Sequence, residues 1–165
     1  MQLKKKRWLG LAFAPALFAL IGFASPAQAA NYSGDCAGIS VFNGSGNVDI
    51  TNTGTCSLPN ALTASGFIHV NSTGAITAQS LQGTDLDVKT TGGAITTQAL
   101  TSTNGDLKVN SATDITTTGA VSSKFSIQAN ANSGKIAISG NLASNQSGAG
   151  GNILLVATGN VSTGS

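Results

Sequence analysis

The chain has 165 residues, is 41% hydrophobic yet only 8% charged, and carries a formal charge of +2. With no glutamate and a single arginine, Arg7, it offers no basic stripe for nucleic acid. One histidine and two cysteines without a C-x-x-C spacing also exclude the common zinc arrangements, and the length suits one domain.

Residues 1–29 read as a targeting segment. Lys4, Lys5, Lys6 and Arg7 form a charged start, an apolar run extends from Trp8 to Ala24, and Ala27-Gln28-Ala29 offers an A-x-A processing site. That order is a secretory signal peptide, removed on export. A transmembrane anchor fits less well, because the apolar run is short and contains Pro15. Cleavage changes the charge balance. Lys89, Lys108, Lys124 and Lys135 then face Asp35, Asp49, Asp85, Asp87, Asp106 and Asp114, a formal −2. The expected location is secreted or on the cell surface, with no membrane anchor after cleavage.

Residues 30–65 contain Cys36 and Cys56. In an exported chain the default expectation for such a pair is a disulfide. Apolar pairs at alternate positions, Ile39 with Val41 and Val48 with Ile50, followed by Leu58, suggest one long first coil reinforced by that bond.

Residues 66–123 repeat one phrase three times, as GFIHVNSTGAITAQSL, DLDVKTTGGAITTQAL and DLKVNSATDITTTGAV. Aligning them gives four apolar columns. These are Ile68, Leu86 and Leu107; Val70, Val88 and Val109; Ile76, Ile95 and Ile115; and Leu81, Leu100 and Val121. Their spacing is 18 to 21 residues. Alternation of apolar with polar residues, rich in Thr, Val and Ile, specifies strands with one face inward. A leucine-rich repeat would need an L-x-x-L-x-L pattern and a helical segment. Collagen would need glycine at every third place. Neither pattern is present. The expected fold is therefore all-β, a single-stranded parallel β-helix (β-solenoid). It should be right-handed, with about five coils of ~20 residues and the twelve column residues as its core ladder.

Residues 124–165 continue the pattern more loosely. Phe125 and Ile127, Ile136 and Ile138, then Leu142 are expected as inward positions. A Gly-rich bulge at 145–151 precedes Ile153, Leu155 and Val161, and the last coil reads as incomplete. That suggests a fragment of something longer or a rung left open for another molecule.

Little in the chain suggests catalysis. Asp85 and Asp106 should stand one rung apart, able to hold a cation or to accept hydrogen bonds at turns, the latter being favoured. Asp87 and Lys108 should be vertical neighbours forming a surface ion pair. His69 should point into solvent, and no serine or cysteine has a base and orienter nearby in the pattern. No catalytic residue, metal site or cofactor is therefore expected. Thr77, Thr96 and Thr116 form an outward file, but only Thr116 and Thr118 make the T-x-T pair that an ice-binding surface would repeat. A surface of Thr, Ser, Asn and Gln suits weak, repeated hydrogen bonding to polysaccharide.

The motifs Gly74-Ala75-Ile76-Thr77, Gly93-Ala94-Ile95-Thr96 and Asp85-Leu86-Asp87-Val88 resemble the β-helical stalk of filamentous haemagglutinin-type adhesins of Gram-negative bacteria. The resemblance covers residues 66–161, and the Asn-Pro-Asn-Gly motif usual in that family's secretion domain is not in this chain. It implies a secreted, non-enzymatic surface adhesin or extracellular structural element of a Gram-negative bacterium, with a surface polysaccharide or host glycan as partner. Two other expectations are a fibre subunit that stacks end to end on itself, and a β-helix that binds or cleaves carbohydrate.

Overall fold

A computed structural model describes residues 31–145 and 151–164. The signal peptide expected at 1–29 and positions 146–150 of the Gly-rich bulge fall outside the described residues. The chain begins with β1 (Tyr32–Gly34) and β2 (Phe42–Gly44). Each following turn repeats one five-residue strand and two three-residue strands. The first such turn is β3 (Val48–Asn52), β4 (Cys56–Leu58) and β5 (Leu62–Ala64). The next two are β6 (Ile68–Ser72), β7 (Ile76–Ala78) and β8 (Leu81–Gly83), then β9 (Leu86–Thr90), β10 (Ile95–Thr97) and β11 (Leu100–Ser102). After these come β12 (Leu107–Ser111), β13 (Ile115–Thr117) and β14 (Val121–Ser123), then β15 (Ile127–Ala131), β16 (Ile136–Ile138) and β17 (Leu142–Ser144). The series closes with β18 (Ile153–Ala157) and β19 (Val161–Thr163). Among the described residues there is no helix.

Every strand pairs in parallel with its equivalents in the neighbouring turns. The long strands form one sheet in the order β1-β3-β6-β9-β12-β15-β18. The second sheet runs β4-β7-β10-β13-β16-β19 and the third β2-β5-β8-β11-β14-β17. The result is a three-sided parallel β-solenoid of about six turns, against the five expected. The difference arises at the start. Residues 31–65 are not one loose coil, because β1 and β2 already belong to a turn beneath the complete turn β3-β4-β5. Only 16 residues separate Tyr32 from its partner Val48, a spacing shorter than the repeat that guided the sequence reading.

Like residues lie over like. Val48, Ile68, Leu86, Leu107 and Ile127 occupy one column of the long sheet, and Ile50, Val70, Val88, Val109 and Ala129 the next. Ile76, Ile95, Ile115 and Ile136 stack in the second sheet, and Leu62, Leu81, Leu100 and Val121 in the third. All twelve ladder residues named above are 0–2% exposed. Burying each such side chain contributes about 1.5–3 kcal/mol against the entropy of ordering the chain.

Two inward assignments fail. Val41 is 64% exposed, and Phe42 takes the inward place instead. Phe125 is 39% exposed in the turn before β15. Alternation misled at both places because a corner, not a strand, separates the residue from its supposed partner.

The interior also holds a polar component. Ser72, Thr90, Ser111, Ser102 and Ser123 are buried at the inward ends of their strands. Each donates a hydrogen bond to a corner carbonyl in the turn below: Ser72 to Gly54 at 2.5 Å, Ser111 to Gly93 at 2.9 Å, Ser102 to Thr84 at 2.6 Å, Ser123 to Gly105 at 2.7 Å, and Thr90 to Gly74. The carbonyls of Gly54, Gly93, Thr84 and Gly105 also accept a backbone amide from the next turn, so the bond mainly gives the buried hydroxyl its partner, through the carbonyl's second lone pair.

The N-terminal end is closed. Cys36 and Cys56 are bonded with Cα atoms 5.4 Å apart, and Cys56 lies in register with Ile76, so the disulfide continues the isoleucine column downward. Tyr32 and Phe42 fill the inward places of β1 and β2. Each is followed two residues later by a glycine, and the ring lies over it. A Cβ on Gly34 would fall 2.7 Å from the Tyr32 hydroxyl oxygen, and one on Gly44 would fall 3.2 Å from the Phe42 ring. The Tyr32 hydroxyl donates to the Asp35 carbonyl at 2.6 Å, and the Asp35 carboxylate accepts from the Gly38 amide at 2.9 Å. Desolvation, and then the nearby Asp35 carboxylate, hold the Tyr32 phenol above its ordinary pKa, which keeps it a donor.

Ile95→Asp places a carboxylate in the middle of the dry column. It should cost about 4 kcal/mol or more and abolish cooperative melting of the central turns, followed by circular dichroism. A variant melting like the parent would refute the inward assignment. The double change Cys36→Ala, Cys56→Ala should lower unfolding free energy by about 3 kcal/mol, the loop-closure value for this span, in urea titration.

Candidate functional site

The outward face of the long sheet carries Asp49, Asp87, Lys89 and Lys108, four of the ten charged residues beyond residue 29. Asp49, His69, Asp87, Lys108 and Gln128 stand in register on successive turns, about 4.8 Å apart as parallel strands require. Beside them runs a second file of Thr51, Asn71, Lys89, Asn110 and Asn130. Alternation places both files outward for the same reason that it buries the aliphatics between them.

A third file precedes the strands, at the corner. It contains Asn47, Phe67, Asp85, Asp106 and Ser126. Here a side-chain oxygen accepts from the backbone amide of the equivalent residue one turn on. Asn47 accepts from Phe67 at 3.1 Å and Asp85 from Asp106 at 2.8 Å. Asp106 accepts from the Ser126 amide at 3.1 Å and its hydroxyl at 2.6 Å. Asp114 does the same for the Lys135 amide at 2.9 Å before the second sheet. Asp85 and Asp106 are thus turn acceptors, as favoured from the sequence, but their partners lie one turn away and not within the same turn. No group of three or more His, Cys, Asp or Glu side chains gathers to hold a metal ion among the described residues.

Phe67 interrupts this file and changes its chemistry. Its ring stacks on His69, centroids 4.2 Å apart and planes inclined by 20°. His69 is therefore half-buried against an aromatic face, not freely solvated as expected. The pair forms one wall of an open notch of about 300 Å³ lined also by Asp85, Asp87, Asp106 and Lys108. A second notch of about 230 Å³ lies on the other flank of His69 and Asp87, bordered by Asp49, Thr51, Asn71 and Lys89. Asp87 Oδ1 is buried and makes no hydrogen bond, so the expected ion pair with Lys108 does not form through that oxygen even though the two residues are in register.

The arrangement can present an apolar ring face flanked by carboxylate acceptors and an ammonium donor. The neighbours of His69 in its file are Asp49 and Asp87, and both cysteines are bonded to each other. The threonine file Thr77, Thr96 and Thr116 is outward on the second sheet, while Thr118 lies beyond the end of β13, so the T-x-T pair does not share one strand. Sequence reasoning missed Phe67 and the buried hydroxyls. Comparing the residue before each long strand would have found the first, and comparing the last residue of each long strand and of each third-sheet strand the second.

Asp106→Ala removes two bonds to Ser126 and should lower stability by about 1–3 kcal/mol in chemical denaturation. Asp106→Asn retains an acceptor oxygen and should lose markedly less; equal losses would show that charge, not the hydrogen bonds, matters there.

No family model, curated protein or solved structure matches the chain.

Proposed function

We propose that this chain is an exported, non-enzymatic β-solenoid that binds polysaccharide on the outward face of its long sheet, acting as a surface adhesin or extracellular structural element. The observation that carries this reading is the Phe67–His69 stack in the wall of an open notch beside Asp85, Asp87, Asp106 and Lys108. An exposed aromatic face receives the C–H face of a pyranose ring, and surrounding carboxylates and amines exchange hydrogen bonds with its hydroxyls. The files of Asn, Thr and Lys above and below repeat at the rung spacing, which favours many weak contacts along an extended glycan over one tight pocket. The leader at 1–29 supports export, the Cys36–Cys56 disulfide suits an oxidising compartment, and the likeness of residues 66–161 to haemagglutinin-type stalks supports an adhesive or scaffolding role.

The test is retention of the purified protein on immobilised polysaccharides and a glycan array. Binding to at least one acidic or amino-sugar polymer is expected, reduced about tenfold or more by Phe67→Ala with His69→Ala, both half-buried and outside the core columns. Retention of nothing, or equal retention of the double variant, would sink the proposal. Accumulation of shortened or unsaturated sugars during incubation would overturn its non-enzymatic part.

A further inference from the structure

The chain contains two Asn-Gly pairs, Asn43-Gly44 and Asn104-Gly105. Such a pair is reactive because glycine has no side chain to hinder its own nitrogen, which can attack the asparagine Cγ and close a five-membered imide. Both asparagines are exposed, so exposure does not separate them. Their backbones do. Asn43 and Gly44 lie inside β2, in register with Thr63 and Ala64, and the Gly44 carbonyl accepts from the Ser65 amide at 3.0 Å. In a strand the side chain stands out of the pleat, away from the amide that follows it. Asn104 and Gly105 instead belong to the corner between β11 and β12. The Asn104 amide donates to the Thr84 carbonyl at 3.2 Å, and the Gly105 carbonyl accepts from Ser123 Oγ at 2.7 Å and from the Phe125 amide at 3.3 Å. Between those anchors, the peptide unit that joins the two residues makes no hydrogen bond through its carbonyl or its N–H among the described residues. That unit is the one that must rotate to bring the Gly105 nitrogen against Cγ.

We propose that Asn104 deamidates spontaneously in the folded protein, so that this corner is a built-in modification site. This inference is independent of the glycan reading above. The Gly105 nitrogen gives up its proton to solvent and bonds to Cγ, the Cγ–Nδ2 bond breaks, and ammonia leaves. Water then opens the imide at either carbonyl to give aspartate or isoaspartate. One water enters for each ammonia lost, and nothing is oxidised or reduced. Three features favour the reaction at this corner. Lys124 Nζ donates to Asn104 Oδ1 at 2.8 Å and lies 5.7 Å from the Phe125 ring centroid. That ammonium faces the oxygen that becomes negative as the nitrogen attacks, which is where a positioned donor lowers the barrier. Nδ2, the leaving nitrogen, donates no hydrogen bond among the described residues. Gly105 itself cannot be exchanged, because a Cβ there would run into the Asp85 carboxylate, whose Oδ1 accepts the Asp106 amide. The packing that builds the corner thus imposes glycine after Asn104. The aspartate product would face Lys124 across the turn as an ion pair, and one added carboxylate takes the formal charge beyond residue 29 from −2 to −3.

The experiment uses the full-length chain recovered from cells, held folded or in urea at mildly alkaline pH in water enriched in heavy oxygen, with peptides followed by mass spectrometry over time. In the folded protein Asn104 should convert to aspartate and isoaspartate carrying one heavy oxygen, about tenfold or more faster than Asn43. In urea the two should convert at similar rates. Raising the pH should speed both, because the attacking group is the deprotonated nitrogen. Lys124→Met should slow Asn104 several-fold in the folded protein and not in urea, and Lys124→Arg should restore the rate. Should Lys124→Met misfold by circular dichroism, the comparison of the parent folded and in urea decides. Asn104 persisting unchanged in the folded chain, Asn43 converting as fast as Asn104 there, ammonia lost through a cross-link of Asn104 to Lys124, or an unchanged rate in folded Lys124→Met would each overturn the proposal.

Discussion

The structure depends on one constraint: each strand must satisfy its backbone from an equivalent strand one turn away, in parallel and in register. No strand finds a partner nearby in sequence. Tyr32 meets Val48 across 16 residues and Ile127 meets Ile153 across 26, yet both pairs preserve the same columns. Register is strict because a slip by one residue would turn every aliphatic of a strand outward and every Asp, Lys or Asn inward. The loops absorb the difference in length, which is why turns tolerate insertion while strands do not.

Stacking satisfies strands but strands alone do not make a turn. Backbone bonds between turns continue at many corners, and short polar side chains add to them there. Inside, Ser72, Thr90, Ser111, Ser102 and Ser123 donate to corner carbonyls; outside, Asn47, Asp85, Asp106 and Asp114 accept from corner amides. These short polar side chains explain how a chain with so little charge holds a defined path. Phe67 is the place where the outer series gives up an acceptor and gains a ring, and the candidate binding face is built around that exchange.

A solenoid has no closed surface, so its ends carry information that its middle does not. The first turn is sealed by two aromatics laid over glycines and by a disulfide. The last turn is apolar on both faces of β18. Within the described residues the first and last turns therefore present different side chains.

The interior was legible from the chain itself. Residues that recur every 18 to 21 positions with period-2 alternation specify stacked strands, and the columns headed by Ile68, Val70, Ile76 and Leu81 follow from alignment of three copies. Where copies drift, local alternation no longer distinguishes a strand from a corner, so Val41 and Phe125 were placed inward although both are exposed. The partners of corner side chains were not legible either, since Asp85 and Asp106 lie 21 residues apart and their bond exists only once the turns are stacked. Periodicity decided which side chains lie inside, because burial repeats with the backbone. The tertiary structure alone decided which outward groups become neighbours and how the first turn is sealed, because those contacts join positions that no local pattern relates.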